Sequence, residues 1–238
     1  MRALGAAQLL GIWEQGLELS SPRRALVLLA AACPETDWGE LAALPVGRRD
    51  DLLLQLREHL FGAELTLVAA CPACSEQLES TLRLADLRVD APGLPGAHML
   101  SIGARDIVFH APTAGDLIDL PQDPAQASMA LLARCVDDLP ATAGIALWSA
   151  DDMETIGAAM AAADPQARTD IGLVCAACNH RWESVFDIAS FLWCEIEAWA
   201  QRTLHEIHAL ARAYAWREQD ILALSPTRRQ LYLELSQP

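Results

Sequence analysis

Cys71-Pro72-Ala73-Cys74 and Cys175-Ala176-Ala177-Cys178 are the two stretches whose reading decides the fold. Each Cys-x-x-Cys pair follows a β-type apolar run, Glu64–Ala70 before the first and Ile171–Val174 before the second. After the first pair, Leu78, Ser80, Leu82 and Leu84 alternate with Gln77, Glu79, Thr81 and Arg83, the period of two that a strand requires. The second pair continues through Asn179-His180-Arg181-Trp182 into a comparable return strand, about 170–186 for the whole hairpin. Two such hairpins supply four thiolates to one tetrahedral zinc, the arrangement of a zinc ribbon. Exactly this pairing would be ordinary if the pairs were close; here 100 residues separate Cys74 from Cys175, so the metal would close a long loop.

Other readings of the cysteines compete with a closed zinc site. A thioredoxin-like redox motif places Cys-x-x-Cys at a helix N-terminus, where the dipole lowers the thiol pKa; here the following residues alternate as a strand. A nucleobase-deaminase zinc site needs His-x-Glu and Pro-Cys-x-x-Cys, but Ala70 precedes Cys71 and no His-x-Glu occurs. A site that has lost its metal remains a third reading. His180 stands beside the second pair as a possible substitute ligand, and an aromatic such as Trp182 is expected to pack under the knuckle. His205 and His208 are three apart, not the four of His-Glu-x-x-His, and read as a polar helix stripe. Cys33, Cys135 and Cys194 sit among apolar helical residues and are expected to be buried small hydrophobes. The expected cofactor is therefore one structural zinc, held by Cys71, Cys74, Cys175 and Cys178. Its binding, on the order of 10 kcal/mol, would exceed the whole stability margin of a typical domain.

Composition narrows the classes. The 238 residues are 53% hydrophobic, enough for a substantial core, and Ala and Leu dominate, which favours helices. The formal charge is −15, and a four-thiolate zinc would add about two more negative charges. Such a field repels phosphate backbones and favours a basic partner, so no nucleic-acid partner is expected. All 17 basic residues are arginine, which excludes a Walker lysine, a Schiff base or a lysine general base. No glycine-rich phosphate loop, nucleophile elbow or placed carboxylate pair appears, and the chain is read as a non-enzyme. The longest apolar run, Ala25–Cys33, is far below the ~20 residues of a membrane span. The N-terminus shows no leader pattern, and a reducing cytoplasm is the expected compartment.

The expected architecture is α+β and predominantly helical, with a small zinc-ribbon β element formed by two distant hairpins and a helical insert between them. Residues 1–63 form an N-terminal helical segment, 64–112 the first knuckle hairpin and β element, and 113–168 the helical insert, hanging from the ribbon. Residues 169–187 form the second knuckle hairpin, and 188–238 a long helix and a terminal short one. Helices are expected at 2–16, Ser21–Ala32 with Ser21 as cap, Asp50–Phe61 ended by Gly62, Ala125–Val136, Ser149–Ala163, Ile188–Tyr214 and Thr227–Leu235. Thr113–Asp116 reads as a capping-box helix start, 90–96 as a loop, and Ile102–His110 as a strand or pair of strands. The long helix is rich in aromatics, among them Trp193 and Trp199, with Trp216 just beyond it. That face either packs on its own domain or offers a partner surface.

Four segments carry a family resemblance: Pro22-Arg23-Arg24-Ala25-Leu26; Leu44-Pro45-Val46-Gly47-Arg48-Arg49-Asp50; Cys71-Pro72-Ala73-Cys74; and a tail of Phe186-Asp187-Ile188, Leu192-Trp193, Glu195-Ile196, Trp216, Asp220-Ile221-Leu222, Leu224-Ser225 and Arg228-Arg229. Together they resemble the baseplate hub assembly chaperones of T-even-type contractile phages, whose relatives occur in clusters for phage-tail-like contractile injection systems. The resemblance implies a non-enzymatic assembly factor that binds hub or spike proteins, in the host cytoplasm if phage-encoded, with no catalytic residues to carry over. The acidic surface and aromatic-rich terminal helix suit a partner subunit: Trp193, Trp199, Trp216, Arg228 and Arg229 are the candidate contacts, and by analogy with helix-in-groove recognition the short helix after Asp220 is expected to act as a detachable docking arm. The rival expectation is a zinc-ribbon regulator acting on nucleic acid or the transcription machinery. Against it, the residues around the hairpins are acidic in balance: Glu64, Glu76, Glu79, Asp86, Asp170 and Glu183 outnumber Arg83, Arg88, Arg168 and Arg181.

Overall fold

The computed structural model describes residues 1–89, 95–103, 105–137 and 148–236. Most of the loop expected at 90–96, and Ala104 beside the expected strand pair, lie outside the described residues. Helices dominate and the strands form small two-stranded antiparallel sheets, so the fold is α+β. Helices α1 (Ala6–Gly16), α2 (Ser21–Ala32), α3 (Trp38–Ala42) and α4 (Val46–Phe61) come first. Strands β1 (Glu64–Ala70) and β2 (Gln77–Arg83) form the first hairpin, and β3 (Ala97–Ile102) and β4 (Arg105–His110) the second. Then come α5 (Pro124–Cys135), α6 (Ala150–Ala163), the hairpin β5 (Thr169–Val174) and β6 (Arg181–Phe186), and finally α7 (Ile188–Tyr214), α8 (Glu218–Leu222) and α9 (Pro226–Ser236).

The main core joins both ends of the chain. Leu26, Leu28 and Leu29 of α2, Leu53, Leu54 and Leu56 of α4, and Leu192 and Ile196 of α7 are all nearly fully buried. Leu65 of β1 and Ile171 and Leu173 of β5 extend this core to the bases of two hairpins. Trp193 locks three helices at once. Its indole occupies the space that a Cβ on Gly16 would need, so only glycine lets α1 come this close to α7. The Arg24 guanidinium lies 4.6 Å from the same ring centroid and donates to the Gly16 carbonyl at 2.8 Å.

A second core lies beneath the hairpin β3–β4, where Ile107 and Phe109 meet Cys135 and Val136 and, from α6, Ile156 and Met160. This insert is pinned to the N-terminal helices, not hung from the knuckles. Pro45 bridges Thr113, Ala114 donates to the Leu44 carbonyl at 2.8 Å and Gly115 to that of Ala42 at 2.8 Å. The start of α4 shows why. The first N–H groups of a helix have no partner within it. Here Val46 donates to the Pro112 carbonyl at 2.9 Å, and Gly47 to the buried Asp164 carboxylate at 2.7 Å, across 117 positions. The insert therefore caps α4, and the helix begins four residues earlier than its own sequence suggests. A carboxylate is also the favourable charge at the positive end of the helix dipole. Side chains leave no slack at this joint, because a Cβ on Gly47 would collide with Asp164.

Other expectations shift by smaller amounts. Ser21 lies inside α2, with Ser20 as the N-cap residue, and its hydroxyl meets that of Ser190 at 3.2 Å. Thr113 and Asp116 make the reciprocal bonds of a capping box, but they close a turn and no helix follows. Helix α3 was not expected, although Asp37 and Glu40 form a complete capping box there.

Two buried arginines carry charge into the interior. Arg57, 3% exposed, bonds both Glu195 carboxylate oxygens at 2.9 and 2.7 Å, and the Gly62 and Glu64 carbonyls at 2.7 and 2.6 Å. It ties the end of α4 and the start of β1 to α7. Arg49 pairs with Asp50 at 2.7 Å, and both are buried. Burial pushes the Asp50 carboxyl up to about 6 against the pull of Arg49, and the charges of Asp187 and Asp164 push it the same way.

Two predictions follow from these pairs. Arg57→Ala should lower unfolding free energy by roughly 3 kcal/mol, because Glu195 and two carbonyls lose their partner; a urea-melt loss under about 1 kcal/mol would show that water replaces it. For Asp50 the folded pKa is above the unfolded one. Its contribution to stability is thus present below about pH 4 and lost as pH rises to about 6. Relative to wild type, Asp50→Asn should gain on the order of 2–3 kcal/mol between about pH 4 and pH 8. Comparing variant and wild type at each pH cancels effects common to both, and an unchanged difference would contradict the assignment.

Candidate metal centre

Each Cys-x-x-Cys pair forms the same five-residue turn between paired strands. In the first, Ser75 donates to the Cys71 carbonyl at 2.8 Å, and Cys71 donates to that of Glu76 at 2.8 Å. In the second, Asn179 donates to the Cys175 carbonyl at 2.9 Å, and Cys175 to that of His180 at 2.9 Å. The residue after each second cysteine is left-handed, Ser75 at φ 62° and Asn179 at φ 58°. Asn adopts this region readily and Ser less so. The conformation turns backbone N–H groups toward sulfur: Glu76 toward Cys74, His180 toward Cys178, and Ala177 and Cys178 toward Cys175. Those donors favour thiolate over thiol.

The two turns face each other. The Cys71 and Cys178 sulfurs are 3.7 Å apart, and those of Cys74 and Cys175 are 3.6 Å apart. All four sulfurs lie within 4.8 Å of one another. A tetrahedral ion with metal–sulfur bonds of about 2.3 Å would space its sulfurs about 3.8 Å apart. The four cysteines therefore fit a metal ion and could bind one. Cys71 and Cys175 are buried on the core side, whereas Cys74 and Cys178 face solvent.

The electrostatics fit the same conclusion. The backbone N–H of Cys178, followed by that of Ala177, holds Cys175 down at about 7, although burial opposes it. Cys74 is pushed up to about 12: the Glu76 N–H lowers it, but the other three cysteines and desolvation together outweigh that. The cluster thus favours the thiolate at Cys175 and disfavours it at Cys74, because adjacent thiolates repel. A cation removes that conflict and lets all four ionise. Four protein donors fill a tetrahedral shell, which suits a structural ion and leaves no position for substrate.

The histidines near or suggested for metal are placed elsewhere. The His180 ring stacks on Trp182, with centroids 5.9 Å apart, and Trp182 packs toward the main core. His205 and His208 are exposed, and His205 bonds the Gln201 carbonyl of its own helix at 2.7 Å. A second cluster not read from the sequence brings His110, Asp116 and Cys135 within 4.8 Å. One Asp116 oxygen already accepts from Thr113 N–H at 2.9 Å, from its hydroxyl at 2.6 Å, and meets His110 at 3.2 Å. Burial, then the Asp116 charge, pushes the Cys135 thiol up to about 12, so this cysteine is inert.

Cys33 and Cys135 are buried as expected, but Cys194 is exposed. The correction follows from helical geometry: a step of 100° separates Cys194 from buried Trp193, carrying it off the core face. Among the tail residues, Trp193 is buried against Gly16 and Arg24, and Trp199 is half-buried between two parts of the core. Trp216 stacks on Tyr214 at 4.7 Å and meets Tyr232 edge-on at 4.9 Å. Arg229, 4% exposed, donates to Glu206 at 3.0 Å and to the Leu224 carbonyl at 3.1 Å. Arg228 is exposed. Segment 218–236 thus packs on α7 through Ile221, Tyr232 and Arg229.

Four cysteines from two distant hairpins thus meet beside a helical frame and form a metal-type cysteine centre. The family description "T4 bacteriophage base plate protein" matches residues 23–193, which include all four cysteines, and the chain belongs to that family. No curated protein and no solved structure matches it. No helix among the described residues is long and apolar enough to cross a membrane.

The burial pattern predicts a thiol count. With metal bound, only Cys194 should react quickly with a thiol reagent, since Cys33 and Cys135 are buried. A strong chelator should release the four cluster thiols. Rapid reaction of the cluster thiols before chelation would argue against a bound metal.

Proposed function

We propose that this chain is a non-enzymatic assembly chaperone or component for the baseplate hub of a contractile tail or contractile injection system, built around one structural zinc. Membership of a base plate family supports the setting. The observation that carries the zinc reading is the convergence of four sulfurs within 4.8 Å from two hairpins. Zinc suits a tetrahedral all-cysteine shell and brings no redox chemistry of its own. Cys71, Cys74, Cys175 and Cys178 would be its ligands, and their closed shell fits a protein that positions partners and does no chemistry. The partners are hub or spike proteins, bound in the cytoplasm where the baseplate is built. Arg228 and Trp216, near the end of the tail, stay available to a partner, whereas Trp193 and Arg229 contribute by holding the frame. The nucleic-acid alternative has the charge of −15 against it.

Co-expression with baseplate hub proteins of a contractile tail tests the reading. The expected result is one zinc per chain by elemental analysis and a stable complex with a hub protein. Absence of zinc from protein made in zinc-supplemented culture would overturn the cofactor. Absence of any hub complex, with tails assembling normally when the chain is deleted, would overturn the role. Mass spectrometry of purified tails then separates the two forms of the proposal: a component is retained, a chaperone is not.

A further inference from the structure

Helices α5 and α6 leave between them an apolar cavity of about 610 Å³, walled by Met129, Leu132, Met153 and Met160. A second cavity, about 380 Å³, shares Pro112, Leu131 and Ala167 with the first and reaches the buried Arg49–Asp50 pair. The two adjoin at these residues, at the joint between the insert and the N-terminal helices, and are treated together as one trough.

The trough has features that internal packing does not require. Gly157 stands in the middle of α6 at the wall, and a Cβ there would meet nothing within 4 Å. Glycine weakens a helix relative to alanine, so its presence is unexplained by the chain's own contacts. It leaves room for another backbone to approach. Met129 is 43% exposed although apolar. Methionine walls are flexible and polarizable, and they mould to an inserted apolar surface.

Charge specifies the occupant. Glu154 and Asp164 line the first cavity, and Asp50 and Asp187 the second. The two cations of the lining are already paired, Arg168 with Asp170 at 2.8 Å and Arg49 with Asp50 at 2.7 Å. With Asp50 matched by Arg49 and Asp164 held by the Gly47 N–H, the trough is apolar along its walls and carries one exposed carboxylate in each half, Glu154 and Asp187. An amphipathic helix with aliphatic anchors and flanking arginines or lysines complements both properties.

We propose that this trough is the docking site for a basic amphipathic helix of a partner protein. The identification of that partner as a hub component rests on the function proposed above; the trough itself does not. The probe is a synthetic helical peptide with leucines spaced along one face and arginines on its flanks, paired with a control carrying glutamates in place of the arginines. Fluorescence anisotropy with the full, metal-loaded chain should show binding of the basic peptide and binding at least about tenfold weaker for the acidic one. Gly157→Trp adds bulk to the trough wall at a position where a Cβ meets no neighbour within 4 Å, and Glu154→Arg reverses a wall charge on an exposed side chain. Each should weaken the basic peptide at least about tenfold while circular dichroism and metal content stay unchanged. No binding of the basic peptide, equal binding of both peptides, or equal binding by Gly157→Trp would overturn the proposal. A dimer in sedimentation that Gly157→Trp abolishes would assign the trough to a second copy and overturn it too.

Hub capture separates this inference from the function it deepens. Equal capture of hub protein by wild type and Gly157→Trp sinks the trough and leaves the baseplate role standing. Failure of wild type to capture hub, with Gly157-dependent peptide binding intact, does the reverse.

Discussion

Four sulfurs brought within 4.8 Å from positions 71, 74, 175 and 178 are the constraint on which the rest of the structure depends. The chain between Cys74 and Cys175 must return to its starting point, and closing a loop of this length costs on the order of 4–5 kcal/mol of chain entropy. Each knuckle alone is a two-stranded hairpin, marginal in water without further packing. A shared ion would make each hairpin the support of the other. The buried Leu65, Ile171 and Leu173 at their bases pass that support to the helical core.

The insert is the part of the chain that such a closure leaves on its long loop, and the fold secures it separately. It has its own core around Phe109 and Ile156 and meets the N-terminal helices through backbone groups. Capping α4 with Pro112 and Asp164 satisfies donors that would otherwise need water at a buried joint. At the same joint burial first, and then the charges of Asp187 and Asp164, hold the Asp50 carboxyl as high as about 6 against the pull of Arg49. Fixing the insert by short polar contacts keeps the walls of the neighbouring trough in register with the helical frame.

What the sequence disclosed follows the range of the forces involved. The cysteine pairs were legible because ligand type, spacing and strand alternation are all local. The bounds of α7 were legible from its apolar period and from Asp187, whose side chain accepts from the Ala189 N–H. The start of α4 was not, since its caps come from Pro112 and Asp164, far away in sequence. Thr113 and Asp116 carry a helix-start pattern, but Asp116 also meets His110, and that tertiary contact accompanies a turn. Cys194 was misjudged because apolar neighbours along a helix do not share a face. For the tail tryptophans and arginines the sequence did not tell inward from outward; the partners of Trp193 and Arg229 decide that for those two.

The division between frame and surface has a functional logic. A surface that docks a partner binds best when it does not deform on contact, since each side chain ordered on binding costs affinity. This chain commits its tryptophan at 193 and its arginines at 57 and 229 to fixing helices, all nearly buried. The lining of the trough is of a different kind: Met129 and Glu154 are exposed and Met153 half-buried, beside the buried Met160 and Asp164. Rigid walls with adaptable lining reduce the ordering cost while still accommodating a helix whose contour is not matched in advance. The acidic balance of −15 would act at longer range, favouring encounter with a basic surface over a phosphate backbone.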